Sequence, residues 1–209
     1  KANRKDRYAE QTPQEQAEFE QFMGEFSSAF TNLKKRGHLT IKQKGLEADD
    51  LAAWIVGKKD TFGIDEIWLI SSDKDWDLLI SDKVSRFSTV TRKEITLDTW
   101  DDHYDVEPDK YLTLKCLAGD TGDNVPGIAG IGPKRAVSLI EQYGDLFDIY
   151  NACPIDSHYK FIQSLNEHAD RLLLNAELMD LESYSEQALI EADMNLEDLS
   201  SQILEYLND

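Results

Sequence analysis

The chain is short of cations, cysteine and long apolar runs, and each shortage removes a class of protein. It has 22 Lys and Arg against 41 Asp and Glu, a formal balance of −19. General nucleic-acid binders are usually basic, so a chain of this charge does not meet nucleic acid with its whole surface. The two cysteines, Cys116 and Cys153, are too few and too scattered for a disulfide framework, which points to a reducing compartment. No apolar run reaches spanning length, and no signal or lipidation motif is present, so a soluble, cytoplasmic protein with no membrane partner is expected. His38, His103, His158 and His168 lack zinc spacing. No internal repeat or low-complexity segment is visible. No Met opens the chain, and it is expected to begin inside a longer protein.

What is present is enough apolar residue, 41% of 209, for one substantial core with a smaller subdomain. The charge is uneven. Residues 152–209 hold 13 acids and 2 bases, a balance of −11, which leaves −8 for residues 1–151. The acidic tail reads as a solvated helical face, or as a surface that turns nucleic acid away. Bases gather at Lys1, Arg4, Lys5 and Arg7, and again at Lys134 and Arg135.

Thr12-Pro13-Gln14-Glu15 is a capping box with Pro at the first helical position. Phe19, Phe22, Met23, Phe26, Phe30 and Leu33 follow at helical spacing, and Lys34, Lys35, Arg36 and Gly37 close the segment. This predicts a helix over 13–36 whose Phe stripe faces a core. A helix is expected from Glu47 to Val56, a buried strand over 65–72, a short helix over 75–80, and a strand pair at 84–89 and 93–96. Helices then dominate: 108–118, 133–143 and several beyond 156. Strands alternating with helices, followed by helices alone, predict an α/β domain with a helical extension.

Three acidic clusters stand apart: Glu47/Asp49/Asp50, Asp73/Asp75 and Asp120/Asp123. Each has a plain explanation when taken singly. Acids favour a helix N-terminus, Asp caps helices, and Asp forms turns. Their joint occurrence points elsewhere. Converging carboxylates repel unless cations compensate, and a pair of Mg²⁺ ions would activate water beside a phosphodiester. The run Val125-Pro126-Gly127-Ile128-Ala129-Gly130-Ile131-Gly132-Pro133-Lys134-Arg135-Ala136 is more specific. Its glycines allow close approach of a phosphate, Ile128 and Ile131 anchor the turn, Pro133 starts a helix, and Lys134 and Arg135 add charge. Such a module reads backbone, not base sequence.

On Lys1-x-x-Arg4, Glu47-Ala48-Asp49-Asp50, Ser72-Asp73-Lys74-Asp75-Trp76-Asp77 and the run 119–136, the sequence resembles the flap endonuclease and 5′-3′ exonuclease family, PIN-like nucleases that include bacteriophage exonucleases and the 5′-nuclease domain of bacterial DNA polymerase I. The resemblance implies a PIN-like central sheet with a helical arch over 1–105. It implies a helix–three-turn–helix subdomain with C-terminal helices over 106–209. It implies metal ligation by Glu47, Asp49, Asp50, Asp73, Asp75, Asp120 and Asp123, with Asp50 acting through water, and Lys1 and Arg4 at the scissile phosphate. Gly127, Gly130, Gly132, Lys134 and Arg135 would hold DNA, and carbonyls of Val125, Ile128 and Ile131 a K⁺ ion. Mg²⁺ is the implied cofactor, with Mn²⁺ able to substitute. DNA with a 5′ flap, overhang or single-stranded 5′ end is the implied partner of a monomer in a bacterial or phage-infected cell. The family carries further strands and metal ligands ahead of the Lys1 position, so the sheet and the first metal site are expected to be incomplete. Lys74 stands where many relatives have Gly, and Asp77 is expected to be structural. The alternatives are a non-catalytic module for branched DNA and a PIN-like endoribonuclease.

Overall fold

The computed structural model describes residues 12–209, and Lys1 and Arg4 lie outside the described residues. The described residues form two compact units, one of residues 12–44 with 194–209, the other of residues 45–193.

In the first unit, α1 spans Pro13–Lys35. Its start is the predicted capping box. The Glu15 N–H donates to Thr12 Oγ1 at 3.3 Å, and the Thr12 N–H donates back to Glu15 Oε2 at 2.7 Å. The Phe stripe departs from expectation: no residue of α1 is buried, and Phe22 is 58% exposed. Phe22, Phe26 and Phe30 instead lie in series, with ring centroids 6.4 and 6.3 Å apart, and the Lys42 ammonium sits 5.4 Å from the Phe26 ring. Helical spacing decides which residues share a face. It does not decide whether another element covers that face. The unit also contains the C-terminal helix Leu196–Asn208, capped by Asn195.

In the second unit, α2 (Ala48–Gly57) precedes β1 (Ile67–Ile70), a 3₁₀ turn (Lys74–Leu79), β2 (Val84–Ser88) and β3 (Lys93–Ile95). The sheet order is β1-β2-β3, with β1 parallel to β2 and β2 antiparallel to β3. The expected strand pair is therefore present. The expected buried strand is shorter and only half covered. Leu69 faces Ala52, Ala53, Val56, Leu79 and Val84, while Trp68 and Ile70 are exposed on the other side. Apolar residues in succession look buried on both faces, but this strand sets one face against α2 and leaves the other open.

Helices follow: α3 (Tyr111–Ala118), then the two-residue strands β4 (Gly119–Asp120) and β5 (Val125–Pro126), α4 (Pro133–Tyr143), α5 (Leu146–Ala152), α6 (Lys160–Glu167), α7 (Asp170–Met179) and α8 (Leu181–Glu191). Their core joins Leu117, Ile128, Ile131, Ala136, Leu139, Ile149, Leu165 and Leu172. Ile128 and Ile131 anchor the glycine turn in that core, as their position predicts. The buried Asn175 amide donates to the carbonyls of Cys116 and Pro126 at 2.9 and 3.0 Å, tying α3 to β5. No helix of the described residues is long and apolar enough to cross a membrane.

Candidate active site

Each acidic cluster is set by an element end. After β1 the chain turns at Asp73, whose Oδ1 accepts the Asp75 N–H at 3.0 Å and so starts the 3₁₀ turn. Asp73 is exposed and acts as a cap, whereas Asp75 is half-buried and accepts from Lys115. In the β4–β5 hairpin the two oxygens of Asp120 divide their work. Oδ1 accepts the Gly122 and Asp123 N–H groups at 2.8 and 3.3 Å, which shapes the loop. Oδ2 accepts from the Lys115 ammonium at 2.8 Å.

The hairpin lies tight against the end of α3. A Cβ at Gly127 would fall 2.3 Å from the Ala118 carbonyl carbon, so only glycine passes there. This packing brings Asp120 and Asp123 to Asp75, and the three residues can offer carboxylate oxygens all within 4.8 Å of one another. That spacing approaches the span of two ligand bonds of about 2.1 Å to a small divalent ion. An all-carboxylate set suits hard cations such as Mg²⁺ and Mn²⁺ over soft ones.

A cation already sits among them. Lys115 is buried, and its ammonium donates to both Asp75 and Asp120. Burial works against that charge, but the bonds to Asp120 and Asp75 outweigh it and raise the Lys115 pKa. The Lys115 bond holds the Asp120 carboxyl below its ordinary value. Asp75 moves the other way: burial pushes it up, Lys115 opposes, and Asp123 and Asp120 add to the rise. Sequence reasoning passed over Lys115. Its signal was its place on the last turn of a helix that runs directly into Asp120.

The α2 cluster faces the same field. Asp49 Oδ1 accepts the Trp76 indole N–H at 2.7 Å, which joins α2 to the 3₁₀ turn. Burial raises the Asp49 pKa against that bond, and Asp73, Glu47 and Asp75 raise it further. Glu47 is the half-buried N-cap of α2 and makes no side-chain cap bond, while Asp50 shares the first turn with Asp49. Glu47, Asp49, Asp50 and Asp73 thus stand outside the converging group of three, although Glu47, Asp49 and Asp73 belong to its electrostatic neighbourhood. The Trp76 contact was the second feature missed.

Asp77 is structural in position. It is 1% exposed, accepts both Arg86 Nε and Nη2, the latter at 2.8 Å, and takes the Tyr104 hydroxyl proton donor as well.

At the second half of the run, Gly132 caps α4 and Pro133 opens it. Lys134 is exposed. Arg135 is tied down: its Nη1 donates to the Gly130 carbonyl at 2.5 Å, and its guanidinium lies 4.6 Å from the Phe161 ring centre. The Ile128 carbonyl accepts the Ile131 N–H at 2.9 Å.

A model of the 5′-3′ exonuclease C-terminal SAM fold matches residues 106–204. The chain is 42% identical over 190 residues to a flap endonuclease of Escherichia phage T5, covering 90% of this chain and 65% of that protein. It is 34% identical over 141 residues to DNA polymerase I of Rhizobium leguminosarum, covering 68% of this chain and 14% of the polymerase. The chain thus spans about two thirds of the first relative and a small part of the second. Among solved structures, the bacteriophage T5 5′-exonuclease with bound zinc matches at TM-score 0.88 and 39% identity, over 98% of this chain and 76% of that one. A bacteriophage T5 flap endonuclease with DNA and metal ions, in a pseudo-enzyme–product complex, matches at TM-score 0.88 and 39% identity over 100% of this chain and 77% of that one. A likeness this close, running through both the acidic cluster and the glycine turn, means that the chain belongs to the flap endonuclease and 5′-3′ exonuclease family.

Proposed function

We propose that this chain carries the working residues of a Mg²⁺-dependent, structure-specific 5′ nuclease that hydrolyses DNA phosphodiesters as a flap endonuclease and 5′-3′ exonuclease. The convergence of Asp75, Asp120 and Asp123 carries the proposal. Divalent ions held there would supply a water of lowered pKa and compensate charge at the scissile phosphate.

The chain's own residues do the rest. Asp75, Asp120 and Asp123 present hard oxygens from two rigid turns, and Glu47, Asp49, Asp50 and Asp73 extend the negative field along α2 and β1. The Asp49–Trp76 bond keeps α2 in register with the 3₁₀ turn. Lys115 keeps Asp120 ionised and balances part of the charge when metal is scarce. Lys1 and Arg4 take the role of cations at the departing phosphate, stabilising charge as the P–O bond breaks.

Beside the cluster, the turn around Gly127, Gly130 and Gly132 with Lys134 reads the DNA backbone. The carbonyls of Val125, Ile128 and Ile131 are the proposed K⁺ ligands. The match of residues 106–204 to the exonuclease C-terminal model supports reading 106–209 as the helix–three-turn–helix subdomain, with arch and PIN-like core over 1–105. The named relatives support DNA with a 5′ flap or 5′ end as the substrate.

The test is cleavage of a 5′-labelled flap DNA, with Mg²⁺ and then with EDTA, beside Asp120→Asn. It is run on this chain and on one extended by the residues the family carries ahead of Lys1. Metal-dependent cutting near the junction that the substitution abolishes supports the proposal. Retained flap binding with no cutting in either chain overturns it in favour of a branched-DNA binder.

A further inference from the structure

A groove of about 330 Å³ opens between α4 and the segment that leads into α6. It is separate from the carboxylate cluster, and its lining holds both flat and polar groups. Tyr159 and Phe161 stack at 5.6 Å and 24°, and the Arg135 guanidinium covers Phe161. The exposed His158 ring, outside the lining, extends this ladder at 4.3 Å from Tyr159. Tyr159 is 56% exposed, so the ladder is not a core feature. Gln142, Tyr143 and Asp156 are among its polar groups, and Leu139, Ile155 and Ile162 among its apolar ones.

Parts of the flat surface are held before anything binds. Arg135 is locked by the Gly130 carbonyl, and a Cβ at Gly130 would already press on Phe161 at 3.3 Å. The Tyr159 N–H is held by Ser157 Oγ at 3.2 Å. A preset stacking surface costs little ordering on binding and suits a planar ligand. Asp156 restricts that ligand further. A carboxylate at the wall repels a phosphate, but it accepts from an exocyclic amino group of a base. Arg135 connects the groove to the glycine turn, because the same guanidinium bonds Gly130 and covers Phe161.

From this arrangement we propose that the groove seats one unpaired nucleobase of the DNA strand gripped at the glycine turn, stacked on Tyr159 in place of the exposed His158 ring, with its amino group toward Asp156. The proposal rests on the reading of that turn as a DNA-backbone grip. A base inside an intact duplex keeps its faces in its own stack and cannot enter. The groove therefore recognises a gap, a frayed end or an overhang beside the bound duplex.

The test measures binding of the whole chain, in EDTA so that no strand is cut. The DNAs are duplexes with one unpaired 2-aminopurine scanned along either strand, and the same duplexes with an abasic residue in its place. Wild-type protein should favour the base over the abasic site by about tenfold at one position, with a change in 2-aminopurine fluorescence on stacking. Tyr159→Ala should remove the preference and leave fully paired duplex binding unchanged, and Tyr159→Phe should keep it. Equal affinity for base and abasic DNA at every position overturns the proposal. So does a Tyr159→Ala loss that falls equally on paired duplex. Flap cleavage in Mg²⁺ by the same Tyr159→Ala preparation reports on the nuclease reading separately: cutting with no base preference leaves the nuclease standing and removes only the groove.

Discussion

Asp75 and Asp77 stand two residues apart on one 3₁₀ turn and live in opposite electrostatic worlds. Asp77 has its charge met in full by a bidentate Arg86 and the Tyr104 hydroxyl. Burial disfavours the Arg86 charge, yet Asp77 raises its pKa all the same, and burial with the Asp77 bond also raises that of Tyr104. Asp75 shares a single ammonium with Asp120, and Asp123 closes on the same place. The lesson is that burial of an acid says little by itself. A carboxylate whose neighbours balance it holds the fold together, and one crowded by other carboxylates is arranged to receive a cation.

Breaking the open side should have the largest effect. Asp120→Asn is expected to lower metal-dependent flap cleavage by about 10³-fold, the scale of a lost electrostatic contact in a catalytic site. Its thermal unfolding should move far less. On the closed side the pattern reverses. Asp77→Asn leaves Arg86 buried without its counter-charge and should cost about 3 kcal/mol in denaturant unfolding. Comparable losses of stability in both variants would erase the distinction between the two acids.

Two glycines sharpen the contrast between packing and ligand space. Gly127→Ala should cost about 2–3 kcal/mol, because the added methyl meets the backbone of Ala118 and Gly119. Gly132→Ala meets nothing within 4 Å and should cost less, about 0.5–1 kcal/mol, as a poorer N-cap. Lys115→Met tests the balance inside the cluster. Without the ammonium the carboxylates repel more strongly, so the metal-free melting temperature should drop by about 2–4 °C for each kcal/mol lost. The gap between metal-free and Mg²⁺-loaded melting should widen. The smallest effect concerns Cys116, which lies in the core with its thiol pushed up to about 12 by burial. At about pH 8 the native protein should leave it unalkylated, and mass spectrometry reads this directly.

Much of this contrast was legible in the sequence, and the missing part has a common cause. The capping box at Thr12 fixed the start of α1 to the residue, because every group in it is local. The spacing Asp120-x-x-Asp123 before a glycine turn, and Asp73-x-Asp75 after a strand, named all three acids that converge. Ile128 and Ile131 were readable as anchors. The Lys115 bond to Asp75, the Trp76–Asp49 bond and the Arg86 partner of Asp77 were not, since each joins two separate elements of the chain. The Phe stripe of α1 failed for the same reason, as a face can be apolar without being covered. Helix α5 carried its own signal, a capping box formed by Asp145 and Asp148, which the length of the segment concealed.

The Asn175 amide makes the hairpin depend on a part of the chain far downstream of it. It bridges to Cys116 across 59 residues and to Pro126 across 49. Closures this long carry a loop-entropy cost that local helices do not. The hairpin that aims Asp120 and Asp123 is thus held by a residue synthesised well after it. A nascent or truncated chain that ends before α7 carries every acid of the cluster and lacks the clamp that gives them their address.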